Sequence, residues 1–403
     1  MKNYLLSLIT IQLFLNACAS QPTQANQPSA NTNTTATPQS PSASPTPAPT
    51  VRSAPLSNPG TELVSKELNA FLKLPFSDTT AVEVHYISNR QTQGDKFFCS
   101  DQNFLVSPGE KTNYGSCRIN VPKRHRVGAF EMAPNPRADS HRYFKILSHR
   151  GLETEEAFKQ NLLAKEPAEI LLFVHGFNVK FEEANVRAAQ IAYDVKFQGP
   201  VLLYTWPAGA GTGMLDSALV TRTYNQNLLN AKASIENFTQ VLRMLSSLNI
   251  KVHILVHSMG HQIVIPALAQ LSTENIQPFI GQLILNAPDF SVDDFIEKSP
   301  NVKNLTDRIT LYCSYNDNAM AASETYNGGR RMGGCEAVDA VDVINVSEID
   351  APAMGVSGLG HGYYASRAIL GDVYQVLLQI DAEKRLFMRK SEPNSTEDFI
   401  LRP

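Results

Sequence analysis

The chain has 403 residues, 43% of them hydrophobic, with 35 Lys and Arg against 38 Asp and Glu and a formal net charge of −3. That length suits one large domain with an additional piece, or two small domains, and near-neutrality removes the electrostatic case for nucleic acid. Five cysteines are present without a C-x-x-C pair, which argues against a zinc or dithiol redox centre.

At the start, Lys2 precedes an apolar stretch from Tyr4 to Leu15 and then the small-residue turn Asn16-Ala17-Cys18. A membrane-spanning helix needs about 20 apolar residues, so residues 1–17 read as a secretory signal. The segment LNAC resembles a bacterial lipobox, where processing cleaves before the cysteine and acylates it. By that resemblance Cys18 becomes the lipidated first residue, and Ala19 after it resembles the outer-membrane sorting pattern of Gram-negative lipoproteins. Such an anchor is expected to hold firmly, because each buried methylene contributes roughly 0.8 kcal/mol. Residues 18–59 are dominated by Pro, Ser, Thr, Ala, Gln and Asn, with no charge before Arg52. That composition cannot bury enough apolar surface to order itself and reads as a tether. With Cys18 lipidated, four cysteines remain, and an exported protein favours disulfides. Proximity suggests Cys99 with Cys117 and Cys313 with Cys335; two other pairings stay open.

Residues 60–150 are expected to form a short β-rich extension. TTAVEVHYISNR, from Thr79 to Arg90, alternates apolar and polar residues as a strand does, and Ser116 to Pro122 repeats the pattern. The basic run Lys123-Arg124-His125-Arg126 reads as a solvated turn. From 151 to 403 strands alternate with helical segments, the signature of an α/β domain with a mostly parallel sheet flanked by helices. ILLFVHG, Ile170 to Gly176, is followed by apolar residues at helical spacing through Ala184, Ala188, Ile191 and Val195. VLLYTWP, Val201 to Pro207, is a strand stopped by proline. A long helical region then runs from about Ser217 to Leu248. VHILVHSMG leads into the helix IVIPALAQL, which contains Pro266. QLILNAPD (Gln282 to Asp289), ITLYCSYND (Ile309 to Asp317) and VDVINV (Val341 to Val346) are strands, the last the final one expected. A Gly-rich loop carrying His361 follows, and AILGDVYQVLLQI closes the domain as a helix. GGRRMGG, Gly328 to Gly334, lacks the Gly-Lys-Ser/Thr ending of a phosphate loop and reads as a flexible loop held by Cys335.

Ser258 stands where a strand meets a helix, Asp317 at a later strand tip, and His361 in the loop after the next strand. Ser, Asp, His is the chain order of the α/β-hydrolase triad. Serine is a weak nucleophile unless a neighbouring base takes its proton, and the base needs an acid to hold its tautomer. Asp289 in NAPD is the rival acid, since it also ends a strand. Backbone N–H groups must also stabilise the oxyanion. One candidate is Met259, after the nucleophile; the second is Phe177 or Asn178 in VHGFN, where Gly176 permits close approach and His175 braces the loop. His253, His257 and His261 are spaced by four, as metal ligands on one helix face would be, but the first two lie in or at the end of a strand, so the spacing has no helical meaning and a metal site is not expected. Trp206, the one tryptophan, suits a pocket wall or a core anchor equally.

In order along the chain, VHGFN, FEEA with AAQIAYD, TWP, VHSMG, NAPD, SYND and GHGYY resemble the bacterial α/β hydrolases long catalogued as a domain of unknown function. That family is typified by a VHGYN-like loop, a SWP-like strand end and an AHSMG elbow, and the similarity covers most of residues 79 to 380. It implies an α/β-hydrolase fold, Ser258, Asp317 and His361 as the triad, and Phe177 and Met259 as oxyanion donors. Val256 departs from the glycine or alanine usual there and puts a β-branched side chain into a tight turn. The expected function is a lipid-anchored serine hydrolase of the outer membrane, acting on a small-molecule or lipid ester through an acyl-enzyme without metal or organic cofactor. Two other readings stand beside it: a surface lipoprotein that binds on a hydrolase scaffold without turnover, and an acyltransferase using the same acyl-enzyme.

Overall fold

The computed structural model describes residues 80–94, 98–209, 217–349 and 361–402. The signal stretch, Cys18 and the tether lie outside the described residues. The strands are β1 (Ala81–Thr92), β2 (Phe104–Asn120), β3 (Ile146–Leu152), β4 (Glu169–Val174), β5 (Val201–Thr205), β6 (Lys251–His257), β7 (Ile280–Asn286), β8 (Thr306–Cys313), β9 (Asp342–Asn345), β10 (Met388–Lys390) and β11 (Phe399–Leu401). They form one 11-stranded sheet in the order β10-β11-β9-β8-β7-β6-β4-β5-β1-β2-β3. From β11 across to β1 every neighbouring pair is parallel. At the edges β10, and β2 with β3, run antiparallel to their neighbours.

The β-rich opening therefore continues the main sheet: β1 lies along β5 in register from Val84 opposite Val201 to Ser88 opposite Thr205. At the far edge two short strands follow VDVINV, which is not the last strand. β10 and β11 are three residues each and are aligned by pairing onto β9, a cause no local apolar period records.

The helices are α1 (Glu155–Leu163), α2 (Phe181–Asp194), α3 (Ser217–Ala233), α4 (Ile235–Ser246), α5 (His261–Leu271), α6 (Val292–Lys303), α7 (Asn318–Asn327) and α8 (Arg367–Leu377). The alternation along β4 separates them. Ile170, Leu172 and Val174 share one core with Phe158 of α1, Phe238 of α4, Ile263 of α5 and Phe295 of α6. Leu171 and Phe173 share the other with Phe181 and Ala188 of α2 and Ile369 and Val373 of α8. Each of these Val, Leu, Ile and Phe side chains, fully buried, stabilises by roughly 1.5–3 kcal/mol relative to exposure. Phe181 also stacks on Phe104 of β2 at 3.8 Å, which fastens the N-terminal strands to the parallel part.

The long helical region expected over 217–248 is two helices. Ser234 breaks it by turning its hydroxyl back onto the Asn230 carbonyl (2.7 Å) while accepting a bond from Asn89 Nδ2 (2.8 Å). The basic run after β2 is not wholly solvated either. Lys123, Arg124 and Arg126 are exposed, but the His125 ring is buried between Glu131 (2.8 Å) and Asp194 (2.7 Å). GGRRMGG departs from a flexible loop in its second half, where Met332 is buried and the N–H groups of Met332 and Gly333 donate to Phe290 and Pro288.

Two disulfides pair Cys99 with Cys117 and Cys313 with Cys335. The second ties the end of β8 to the turn Met332–Gly334. Strand order reverses at β4, which lies between β5 and β6 although β5 follows it in the chain. The crevice beyond the carboxyl ends of β4 and β6 is thus the position where open α/β sheets bind ligands.

Candidate active site

Two loops meet at that reversal: residues 175–180 after β4, and the turn Ser258–Gly260 after β6. Ser258 has φ +53°, the left-handed region that a side chain enters only under constraint. The constraint is visible in two glycines. A Cβ on Gly176 would fall 2.8 Å from Ser258 Cβ and 2.9 Å from His257 Nδ1, and one on Gly260 would fall 2.7 Å from the His175 carbonyl oxygen. Strand tip and turn therefore pack backbone against backbone. Val256 is accommodated as an interior residue of β6, opposite Val174 and Leu285, and its crowding falls on Gly260, where a Cβ would lie 3.2 Å from Val256 Cγ1.

The structure brings three of the expected residues into one hydrogen-bonded series. Ser258 Oγ lies 2.8 Å from His361 Nε2, and His361 Nδ1 lies 2.7 Å from Asp317 Oδ2. A carboxylate can only accept, so Nδ1 carries the ring proton and Nε2 is left to accept from the serine. Asp317 is the N-cap of α7; its Oδ1 accepts from the N–H groups of Ala319 and Met320, both at 3.1 Å. One carboxylate oxygen is held by the helix and the other faces the imidazole, an arrangement that fixes both. Its side chain is fully buried, while that of His361 keeps 19% of its surface exposed.

Asp289 stays outside this series. Its Oδ1 accepts from Ser323 Oγ (2.5 Å) and its Oδ2 from the Tyr224 hydroxyl (2.9 Å), and Arg331 Nε stands 3.7 Å away. It is a buried structural acid between α3 and α7, and its main-chain N–H touches the Ser258 carbonyl at 3.4 Å.

The neighbouring histidines are neutral supports. His257 stacks on Tyr364 at 3.7 Å, and burial, helped by the nearby His361, holds its pKa well below the ordinary histidine value. His261 donates from Nδ1 to the Ser258 carbonyl at 2.7 Å, and burial pushes its pKa down to about 3. His175 stacks on Trp206 at 5.4 Å and 9°, and Trp206 Nε1 donates to the His175 carbonyl at 2.9 Å. Trp206 is completely buried, which settles it as a core anchor.

Of the two candidates in VHGFN, the Asn178 N–H is taken by Asn227 Oδ1 at 3.0 Å, and Asn178 itself has φ +58°. No such acceptor takes the Phe177 N–H among the described residues. Asn227, on α3, also exchanges both backbone bonds with Gly209, 3.0 and 3.1 Å, and so clamps the loop after β4 to the loop after β5. Arg90 of β1, buried beneath the same loops, donates to the carbonyls of Val179 and Ala208 at 2.9 and 2.8 Å. Neither residue was foreseeable. Their work is with distant backbone carbonyls and N–H groups, and only their polarity within apolar-periodic segments hinted at it.

A buried serine whose hydroxyl faces an acid-oriented imidazole, on a strand-to-helix elbow with a main-chain N–H beside it that no acceptor takes among the described residues, can attack an electrophilic carbonyl. No curated protein matches the chain. A family model described as alpha/beta hydrolase of unknown function (DUF900) matches residues 151–379, more than half of the chain. The sheet order, the elbow and the match agree, and the chain belongs to this family of α/β hydrolases.

Proposed function

We propose that this hydrolase cleaves carboxylic esters through an acyl-enzyme on Ser258. The observation that carries the reading is the continuous series from Asp317 to His361 to Ser258, at 2.7 and 2.8 Å. His361 Nε2 takes the proton as Ser258 Oγ bonds to the ester carbon, and returns it to the departing alkoxide when the carbon–oxygen bond breaks. Water then repeats the sequence, with His361 as base, and releases the acid and the free serine. Asp317 holds the tautomer and stabilises the imidazolium. The oxyanion is received by the N–H groups of Phe177 and of Met259, the latter at the entrance to α5, where the helix N-terminus favours negative charge.

Labelling of the purified full chain with a fluorophosphonate probe, beside Ser258→Ala, tests the reading without a choice of substrate. Covalent labelling of the parent alone supports it. A folded parent that resists the probe sinks it in favour of a binding scaffold.

Anchoring through Cys18 in the outer membrane belongs to the same proposal and is supported by the LNAC segment and the uncharged stretch after it. Cys18→Ser is expected to move the chain from the membrane fraction to the soluble one and to abolish incorporation of labelled palmitate. Retention of the label by the variant would refute lipidation at this cysteine.

A further inference from the structure

Arg90 is completely buried, and among the described residues no carboxylate stands within ion-pair distance of it. A guanidinium remains protonated in such a place, and an isolated buried charge is costly. Here it is offset by four acceptors: Thr205 Oγ1 at 3.0 Å, and the carbonyls of Leu105 (3.3 Å), Ala208 (2.8 Å) and Val179 (2.9 Å).

The donor directions along this contact are determined. The buried His175 ring is neutral and its Nδ1 faces a carbonyl, which can only accept, so its Nε2 accepts from the Thr205 hydroxyl, 3.1 Å away, while Thr205 Oγ1 accepts from Arg90, which has no acceptor of its own. His175 then carries its proton on Nδ1, which donates to the Gly176 carbonyl at 3.1 Å. That carbonyl and the Phe177 N–H belong to one planar peptide and point in opposite directions. Whatever holds the Gly176 oxygen therefore aims the Phe177 N–H. Bonds in series also polarise one another, and this series begins at a cation. Beyond Phe177, the loop is pinned again where Arg90 takes the Val179 carbonyl.

We infer that Arg90, Thr205 and His175 form a positioning relay for the Phe177 N–H, so that β1, upstream of the family-matching residues 151–379, is part of the catalytic unit. The inference rests on the serine-hydrolase reading above, in which that N–H receives the oxyanion. None of the three touches the reacting atoms; they act through the peptide they orient.

The experiment is fluorophosphonate inactivation of the full chain, resolved into a maximal rate kinact and a binding constant KI, for the parent, Thr205→Val and Thr205→Ser. Deleting an oxyanion donor outright costs about 10²–10³ in rate, so mis-aiming one through Thr205→Val is expected to lower kinact by about tenfold or more. KI should stay within roughly threefold, since encounter binding is not affected. Thr205→Ser restores the hydroxyl and should restore kinact. A folded Thr205→Val with parental kinact overturns the relay, as does a Thr205→Ser that falls equally far. If Thr205→Val does not fold, Arg90→Lys, which keeps the cation and loses the fork, decides in the same way: a fall in kinact with KI held supports the relay, and a parental kinact overturns it. A parent that never labels strikes the hydrolase reading itself, which separates the two failures.

Discussion

His361 Nε2 lies 2.8 Å from Ser258 Oγ across 103 residues of chain. The contact depends on a sheet whose strand tips open on one side, since the two residues come from loops that follow β6 and β9. Asp317, at the tip of β8, completes it from a third loop.

The two buried aspartates near Ser258 should separate cleanly on substitution. Asp317→Asn keeps an N-cap for α7, because asparagine caps as well as aspartate, but its amide cannot fix the ring tautomer as a carboxylate does. The rate of ester hydrolysis is expected to fall by about 10³–10⁴, with little change in the thermal midpoint. Asp289→Ala leaves Ser323 and Tyr224 without their acceptor and should cost about 1–3 kcal/mol of stability. Its labelling rate should remain within about tenfold of the parent, as the Asp289 side chain bonds to Ser323 and Tyr224 and only its main-chain N–H, which the substitution keeps, meets the Ser258 carbonyl. Reversed outcomes in denaturant melts and hydrolysis assays would make Asp289 the triad acid.

Gly176 and Gly260 form one packed unit with Ser258, and a methyl group on either has no room. Gly176→Ala forces its Cβ against Ser258 Cβ, and Gly260→Ala forces it against the His175 carbonyl. Each is expected to destabilise by about 1–3 kcal/mol, and Gly176→Ala to reduce labelling more strongly, since the atoms it displaces are those of Ser258 and His257. Parental labelling by Gly176→Ala would mean that the elbow can yield without moving the hydroxyl.

Much of this site was legible in the sequence because its chemistry sits at strand ends, where punctuation is strong. VHSMG and VHGFN announce themselves by glycine, histidine and serine after continuous apolar runs, and the order Ser258, Asp317, His361 narrows the architecture further. Asp317 and Asp289 both end strands in similar words, and what separates them is three-dimensional: only Asp317 faces His361. Arg90, Asn227 and Asn230 were not legible. They bond to main-chain atoms of loops far along the chain, and such bonds leave no side-chain pattern. The helix break at Ser234 was hidden for a related reason, since its cause includes Asn89, 145 residues away. The β10 and β11 strands were hidden by brevity, their alignment coming from β9.

The Cys313–Cys335 bridge closes a loop with a sequence separation of 22 that contains Asp317 and all of α7. The chain-entropy relation gives about 3 kcal/mol for a loop of this size. Reduction of this bridge is therefore expected to lower the unfolding free energy by about that amount, with the Cys99–Cys117 bridge adding its own loss in full reductant, and to lower activity with it, because the helix that holds Asp317 loses a fixed point. Thermal melts and fluorophosphonate labelling in full reductant check both. Undiminished labelling of the reduced chain would show that the cap bonds from Ala319 and Met320 suffice to hold the acid.

His125 gives the fold a stability that falls as pH rises. Burial alone would lower its pKa, but bonds and charge from Asp194 and Glu131 outweigh that and raise it above the ordinary histidine value. The ring joins the loop after β2 to the end of α2, where Asp194 also accepts from the Gly128 N–H at 2.8 Å and from Gln190 at 2.6 Å. A folded-state pKa above the unfolded one means that folding takes up protons. The stabilisation is complete below the unfolded value of about 6.5 and fades as pH rises through the folded one. Comparison of the parent with His125→Gln by urea denaturation should therefore give a stability difference that is largest near pH 6 and shrinks steadily toward pH 9. A difference that held constant would mean that the neutral ring supports the loop as well as the charged one. One that grew with pH would mean that burial outweighs the two carboxylates and holds the folded pKa below the unfolded value.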